Sequence, residues 1–318
     1  MRKCHRGLPA NVLKIGGYIE MKKVLSLAMA LAMCLTMAAC GGGNKNTPTQ
    51  DNTGGSASQS NSSGSQAGSG SGADADQSAA GSDLEYVKGK GTLVVGITEF
   101  EPMDYKDANG EWIGFDADMA KAFAESLGVD VEFIEIDWDS KIMELEAKTI
   151  DVVWNGMTLT DEVTSSMACS NAYCNNTQVV VLPAAVAAQY PTVESMSGLA
   201  FAAESGSAGA LELEGLSYSY TPVKDQASAL MEVAAGTSDA AVIDALMAGA
   251  MVGEGTGYAD LTFTISLNED EGEQYGVGFR KGSDLAAALN EFFAKAYKDG
   301  SMVACAETYG IQAALIAQ

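Results

Sequence analysis

The sequence is poor in positive charge, and its single histidine, His5, lies close to the amino terminus. The chain has 18 lysines and arginines against 42 aspartates and glutamates, a formal net charge of −24. Such an acidic surface argues against nucleic acid or an anionic membrane face as a binding partner. Because His5 precedes the expected processing site, histidine-based acid–base chemistry and histidine-containing metal sites are excluded for the mature protein.

The chain also lacks a hydrophobic run of membrane-spanning length. The apolar run at residues 24–37 has 14 residues, whereas a transmembrane helix needs about 20. It follows two lysines and precedes two alanines and Cys40, the pattern of a secretory signal peptide. Its end is similar to a lipobox, in which the cysteine is acylated and becomes the mature amino terminus. We therefore expect residues 21–39 to be a lipoprotein signal peptide and Cys40 to carry the lipid that anchors the protein to the extracellular face of the membrane.

Residues 1–20 show no periodicity and are interpreted as an upstream extension produced by a mis-called start. Removal of everything before Cys40 takes away six basic residues and one acidic residue, which leaves 12 against 41 and a charge of about −29. Residues 41–82 lack aromatic side chains and consist mostly of glycine, serine, asparagine, glutamine and alanine. Such a segment cannot bury enough surface to offset its ordering entropy. Residues 40–83 are therefore predicted to be a disordered tether.

Cysteine is less informative than the total of six suggests. Cys4 and Cys34 precede the processing site, and Cys40 is the expected lipidation site. The cysteines that remain in the folded region are Cys169, Cys174 and Cys305. Two arrangements stay open: one disulfide with a free thiol, or three unpaired thiols. A thiol nucleophile is disfavoured, because no histidine is present to activate it.

Strands and helices alternate along the rest of the chain, which predicts an α/β fold with parallel sheets. The predicted strands are residues 92–97, 131–136, 150–154, 178–182, 199–203, 240–243, 261–265 and 275–280. Between them lie helices that begin near Asp116, Ser140, Ser207, Asp225 and Ala245, and two more follow at 283–298 and 301–309. The strand at 150–154 is continuously apolar, so we expect it to be covered on both faces. Small polar residues follow it, at the strand end where open α/β sheets place ligand contacts.

The order of residues from Trp138 to Glu162 resembles the amino-acid-type (family 3) substrate-binding proteins of ABC importers. The usual pattern of that family is Trp-Asp, a helix, Ile-Asp-Val, and then Gly-Met-Thr-x-Thr. Further landmarks are Gly-Phe-Asp at 114–116, Gly-Ser-Ala at 206–208, Asp-Ala-Ala-Val-Ile-Asp at 239–244, and Tyr-Gly-Val-Gly-Phe-Arg-Lys-Gly at 275–282. The resemblance covers about residues 92–309, which is nearly all of the folded region.

The resemblance implies a periplasmic-binding-protein-like fold of type II, with two α/β lobes. Residues 84–182 and 276–318 are expected to form one lobe and residues 183–275 the other, with hinge crossings near 181–184 and 274–277. It also implies a function: the protein captures a small polar solute, such as an amino acid, by lobe closure. The solute is then delivered to an ABC permease with its ATPase subunits. We expect a monomer with no cofactor, no metal and no nucleic-acid partner.

The ligand contacts implied by the resemblance fall on both lobes. Trp138 matches an aromatic residue that sandwiches the ligand, and Tyr105 is the candidate for a second aromatic wall. Gly156 and Thr158 match backbone and hydroxyl partners of the ligand's amino and carboxylate groups.

The other lobe is expected to supply two further contacts. Ser207 and Ala208, at a helix start, match amide donors to a carboxylate. Asp244 matches the carboxylate that holds the ligand's α-ammonium through a charge-assisted hydrogen bond.

One departure from the family pattern is the arginine that clamps the ligand α-carboxylate, because Val163 occupies its position. Arg280 is the only arginine after Cys40 and lies on the last predicted strand. In one explanation the carboxylate is held by the Ser207 helix start and Thr158 with help from Lys141. In a second, the ligand has no α-carboxylate and is attracted by acidic residues, which are Glu99, Glu101, Asp104 and Asp244. In a third, the protein has kept the fold and lost the transport ligand.

We favour a polar, amino-acid-like ligand and expect no enzymatic activity. The alternatives are a cyclohexadienyl- or arogenate-dehydratase-like enzyme and a ligand-sensing domain on the same scaffold. An enzyme would need placed acid–base groups, and Asp161 with Glu162 would serve only if burial raised the pKa of one of them.

Overall fold

The computed structural model describes residues 81–268 and 272–318. The expected upstream extension, signal peptide and lipidated Cys40, and nearly all of the expected tether, lie outside the described residues. In the described part of the chain, no helix is both long and apolar enough to cross a membrane.

The elements of the described residues follow the alternation expected from the sequence. The strands are β1 (Thr92–Ile97), β2 (Tyr105–Lys106), β3 (Trp112–Ile113), β4 (Asp130–Glu135), β5 (Val152–Thr158), β6 (Ala168–Cys169), β7 (Cys174–Asn176), β8 (Gln178–Pro183), β9 (Phe201–Glu204), β10 (Tyr220–Val223), β11 (Ala240–Asp244), β12 (Leu261–Ser266) and β13 (Glu273–Phe279). The α-helices are α1 (Asp83–Lys90), α2 (Phe115–Leu127), α3 (Lys141–Glu146), α4 (Asp161–Ser166), α5 (Ala208–Gly215), α6 (Gln226–Ala235), α7 (Ala245–Met251), α8 (Leu285–Asp299) and α9 (Ser301–Thr308). A 3-10 turn, Trp138–Ser140, precedes α3.

Two separate sheets form the cores of two lobes, which confirms the predicted α/β fold of type II. The first sheet has the order β4-β1-β5-β13-β6, with β7 also paired to β13. The second has the order β10-β9-β11-β8-β12. In the first sheet β4, β1 and β5 are parallel, and in the second β10, β9 and β11 are parallel. The strand by which the chain enters each sheet from the other lobe is antiparallel: β13 runs against β5, and β8 against β11. The lobe with the first sheet is called lobe 1 below, and the other is lobe 2.

The chain crosses between the lobes earlier than the sequence predicts. β7 pairs with β13 in lobe 1, whereas β8 pairs with β11 and β12 in lobe 2. The first crossing therefore lies at residues 176–178 and not at 181–184. The second lies after β12, which ends at Ser266, and before β13, which begins at Glu273, and not within 274–277. The expected lobe boundaries are wrong by several residues, because an apolar strand has the same pattern in either lobe.

The folded part also begins slightly earlier than expected. Ser82 accepts the Glu85 N–H at 3.0 Å and caps α1, so residues 82 and 83 belong to the fold and not to the tether. Asp83, in the first turn of α1, pairs with Arg280 at 3.0 Å. The Arg280 guanidinium also donates to the Ile150 carbonyl at 2.9 Å. Arg280, the residue after β13, thus joins α1 to the segment just before β5, and it is not among the residues of the cleft.

The three cysteines of the folded region are free thiols in the described part of the chain, so neither Cys169 nor Cys174 forms a disulfide there. Burial is the main cause that raises the pKa of each thiol above its ordinary value. The thiols are therefore protonated at neutral pH and unreactive as nucleophiles.

Candidate functional site

A cleft between the lobes contains about 460 Å³ of space free of protein atoms, part of it open to solvent. Its residues from lobe 1 are Phe100, Trp138, Lys141, Asn155, Gly156, Met157, Thr158, Thr160, Glu162 and Val163. Its residues from lobe 2 are Glu204, Gly206, Ser207, Ala208, Leu211, Gln226 and Asp244. The cleft thus lies at the carboxyl ends of the parallel strands of both sheets, where open α/β sheets bind ligands.

The structure brings most of the predicted site residues together in this cleft. These are Trp138, Gly156, Thr158, Ser207, Ala208 and Asp244, with Lys141 and Val163. Tyr105 and Glu99 are not among its lining residues, which corrects the expectation for both. The Tyr105 ring packs edge-on against Tyr309, with centroids 6.4 Å apart. The Glu99 carboxylate accepts the Lys106 N–H at 3.4 Å.

The aromatic wall expected from Tyr105 is supplied by Phe100, which the sequence analysis missed. Phe100 follows the carboxyl end of β1. This position is the feature of the sequence that indicates a contact with ligand. The Phe100 ring packs edge-on against Tyr275, with centroids 6.3 Å apart. Gly156 allows the approach: it adopts φ +54°, and a Cβ there would lie 2.4 Å from the Phe100 ring. Any side chain at this position would displace the aromatic wall.

Asp244 ends β11 and is 4% exposed. One oxygen, Oδ1, accepts hydrogen bonds from Gln178 at 2.9 Å, Tyr275 at 2.8 Å and Asn176. The other, Oδ2, accepts one from Gln226. All four donors are uncharged, and none of the ion pairs in the described residues involves Asp244.

Burial, together with the nearby carboxylate of Glu273, raises the pKa of Asp244 to about 7. Glu273 shares the amide groups of Asn176 and Gln178 with Asp244, at 3.2 Å and 3.0 Å from its own oxygens. Asp244 is therefore a buried acid whose hydrogen-bond donors in the described residues are all uncharged. A positively charged group of a ligand would stabilise its ionised form.

Two of the predicted ligand contacts already have partners within the protein. The Gly156 N–H donates to Asp116 at 2.6 Å, and the Thr158 hydroxyl donates to Glu273. Burial raises the pKa of Asp116 to about 7. β5 also continues to Thr158, so Asn155 and Gly156 belong to the strand and not to a loop after it.

Lys141 is the one buried lysine in the described residues, with 6% of its surface exposed. Its Nζ donates to the Trp138 and Gly206 carbonyls, each at 3.1 Å, and lies 4.9 Å from the centroid of the Trp138 ring. None of the ion pairs in the described part of the chain involves it. Burial lowers its pKa. An ammonium has three donors, so one remains for an anionic group in the cleft.

The start of α5 lies beside Lys141 at the same edge of the cleft. Ser207 caps the helix: its Oγ accepts the Ala210 N–H at 3.1 Å. The amide of Ala208, the first helical residue, has no intrahelical acceptor because of its position. The positive end of the helix dipole adds to the charge of Lys141.

Several contacts join the lobes across the cleft. Besides the bond from Lys141 to the Gly206 carbonyl, Lys224 pairs with Glu135 at 3.0 Å. Gly206 itself adopts φ +69°, and a Cβ at this position would lie 2.7 Å from the Cα of Asp139. The lobes are therefore in direct contact, in a closed arrangement.

Comparison with known proteins reveals clear similarities. Residues 93–312 match the sequence model of the bacterial extracellular solute-binding proteins, family 3. The L-cystine-binding protein TcyJ of Escherichia coli K12 is 26% identical over 235 residues, which are 71% of this chain and 85% of that protein. A substrate-binding protein of an ABC uptake transporter from Streptococcus pneumoniae, solved with bound histidine, is 29% identical with a TM-score of 0.68, covering 74% of this chain and 99% of that one. An ancestral amino acid-binding protein, AncCDT-1, a precursor of cyclohexadienyl dehydratase, is 28% identical with a TM-score of 0.65, covering 72% and 99%.

Proposed function

Because the chain belongs to the bacterial extracellular solute-binding proteins of family 3, we propose that it binds an α-amino acid between its lobes and delivers it to the permease of an ABC importer. One observation carries the proposal: Asp244 and Lys141, from opposite lobes, line the same closed cleft, and neither has an oppositely charged partner among the described residues. An amino acid supplies both missing charges.

The α-ammonium of the ligand binds Asp244. Within the described residues, the Oδ2 atom accepts one hydrogen bond, from Gln226. It therefore retains capacity for a second donor. A charge-assisted bond in a closed, poorly hydrated cleft is stronger than one between neutral groups.

The α-carboxylate binds Lys141 and the start of α5, in place of the arginine of the family pattern. Val163 is buried against the cleft and offers only an apolar surface. An ammonium does not reproduce the two parallel bonds of a guanidinium. The amides of the first turn of α5 add the donors that Lys141 lacks.

The apolar part of the ligand lies between Trp138 and Phe100, which line the cleft from lobe 1. Closure brings these rings and Lys141 onto a ligand that is held by lobe 2. The proposal includes a lipid anchor at Cys40 and a permease with ATPase subunits that recognises the closed form. The relatives named above are binding proteins or a precursor of an enzyme, and a binding role without catalysis is the function that we propose for this chain.

The test is a thermal-shift screen of the chain without residues 1–40 against the twenty amino acids, polyamines, short peptides and organic acids. A ligand at 100 times its Kd adds about 2.7 kcal/mol of stability, which raises the Tm of a domain of this size by about 5–10 °C. We expect at least one amino acid to give a saturable increase. An increase with polyamines or organic acids alone would contradict the proposal.

Lys141→Met is expected to weaken binding of that amino acid by about 10- to 100-fold, because a charge-assisted hydrogen bond contributes about 1.5–3 kcal/mol. The measurement is isothermal titration calorimetry with the amino acid and with its decarboxylated amine. The lost bond to the Gly206 carbonyl affects both ligands equally, so the wild-type preference for the amino acid should disappear. If Lys141→Met keeps that preference, the carboxylate is bound elsewhere.

A further inference from the structure

Two buried acids lie side by side at the carboxyl edge of the lobe 2 sheet. β9 ends at Glu204 and β11 ends at Asp244, and the two strands are adjacent and parallel, with Phe201 opposite Ala240. Both carboxylates line the cleft. The binding mode proposed above for the α-amino and α-carboxylate groups uses Asp244 and gives no role to Glu204.

Glu204 differs from Asp244 in its partners. It is 2% exposed, and its Oε1 accepts no hydrogen bond within the described residues. None of the ion pairs of the described chain involves it. Lys141, the buried cation of the cleft, is directed to two backbone carbonyls instead. The Thr98 side chain forms a hydrogen bond with the Glu204 carboxyl group, but Oε1 has no donor within the described residues. A buried oxygen without a donor is costly, so Oε1 can accept a hydrogen bond from a ligand.

We infer that Glu204 forms a second acidic subsite, which binds a positively charged side chain of the amino acid whose α-ammonium is on Asp244. This inference rests on the proposed function and specifies its ligand class. Diamino and guanidino acids would satisfy both carboxylates at once. A neutral side chain of the same shape would leave Glu204 either unpaired or protonated.

The charged groups around Glu204 couple ligand binding at this subsite to the protonation state of Glu204. Asp244 on β11 and Asp225 before α6 face it, Lys141 on α3 opposes them, and the Thr98 side chain lies beside it. Burial, with these two acids, raises the pKa of Glu204 to about 8. In the empty cleft at pH 7, Glu204 is therefore mostly protonated. A cationic side chain favours the ionised form, so its binding releases a proton, and affinity rises with pH up to about 8.

The experiment is calorimetry with two pairs of probes of matched shape: L-arginine with L-citrulline, and L-lysine with L-norleucine. For at least one pair, the wild-type protein is expected to bind the cationic member about 10- to 100-fold more tightly, the range of one charge-assisted hydrogen bond. Glu204→Gln keeps the shape of the side chain and should reduce that ratio to nearly one. Titrations in two buffers with different ionisation enthalpies should show fewer protons released by the variant.

Glu99→Gln is the control, since it removes the same charge from an acid that does not line the cleft. It should leave the cationic-to-neutral ratio of the chosen pair unchanged. A wild-type ratio near one for both pairs, or the same ratio and proton release in Glu204→Gln, would overturn the inference. If neutral amino acids bind and none of the cationic ones does, Glu204 has a different role while the proposed function stands. If no amino acid binds at all, the proposed function itself fails.

Discussion

Asp244→Asn is expected to weaken amino acid binding by about 100-fold or more, the largest loss that any single side chain of the cleft should cause. Loss of one partner from a buried charged pair costs about 2–5 kcal/mol, and each 1.4 kcal/mol is tenfold in Kd. The variant keeps an oxygen for the three donors at Oδ1. It replaces Oδ2, the atom with spare capacity, by an amide that repels an ammonium.

Calorimetry with the amino acid found by the screen measures this effect, and urea unfolding of the ligand-free variant is its control. The variant should remain folded, because it removes a buried carboxyl whose ionisation is unfavourable: the pKa of Asp244 is raised to about 7. At pH 8 that ionisation opposes folding, so loss of the charge offsets part of the cost of the disturbed hydrogen bonds. Unchanged affinity in a folded variant would remove Asp244 from the proposed site.

Gly206→Ala is expected to weaken binding by about 10-fold or more without a comparable loss of stability. A methyl group at this position would meet the backbone and Cβ of Asp139 at 2.7 Å, across the cleft. The added group therefore separates the lobes and lengthens the bond from Lys141 to the Gly206 carbonyl. Calorimetry and small-angle scattering should show weaker binding and a larger radius of gyration in the presence of ligand.

The matched control is Gly236→Ala, at the end of α6. Gly236 adopts φ +72°, close to the φ of +69° at Gly206, but a Cβ there would meet no atom within 4 Å. Both variants carry a similar backbone strain of about 1 kcal/mol, and only one obstructs closure. Equal affinities for the two variants would contradict a closed ligand-bound state of this geometry.

Much of the fold is evident from the sequence, because each lobe repeats the alternation of strand and helix. Several boundaries are not. The sequence does not predict β10, because this strand of four residues includes Pro222. None of its side chains is buried, so it lacks the apolar pattern of a strand. β8 was predicted but assigned to the wrong lobe: five of its residues are buried, and periodicity does not show which sheet buries them.

For the candidate site, the sequence predicts positions better than it predicts contacts. Trp138 and Lys141 reach the cleft because they come soon after the end of β4, and Asp244 because it is the last residue of β11; a sequence pattern can locate strand ends. The partners of Thr158 and of the Gly156 amide come from distant parts of the chain, at Glu273 and Asp116, so no local signal reveals them. Phe100 lies just after the end of β1 and Glu204 is the last residue of β9, but neither residue belongs to the family pattern that points to the other positions.

The contact between Lys141 and Gly206 across the cleft also affects the rate at which a bound ligand leaves. With donors and acceptors on both lobes and the aromatic rings of lobe 1 around it, a bound ligand is hindered from leaving while the lobes remain in contact. Its residence time is then set by how often the hinge opens, and not by the strength of any single bond to the ligand. A protein of this design must exchange ligand through its own motion, so a partner that opens the lobes would control the rate of release.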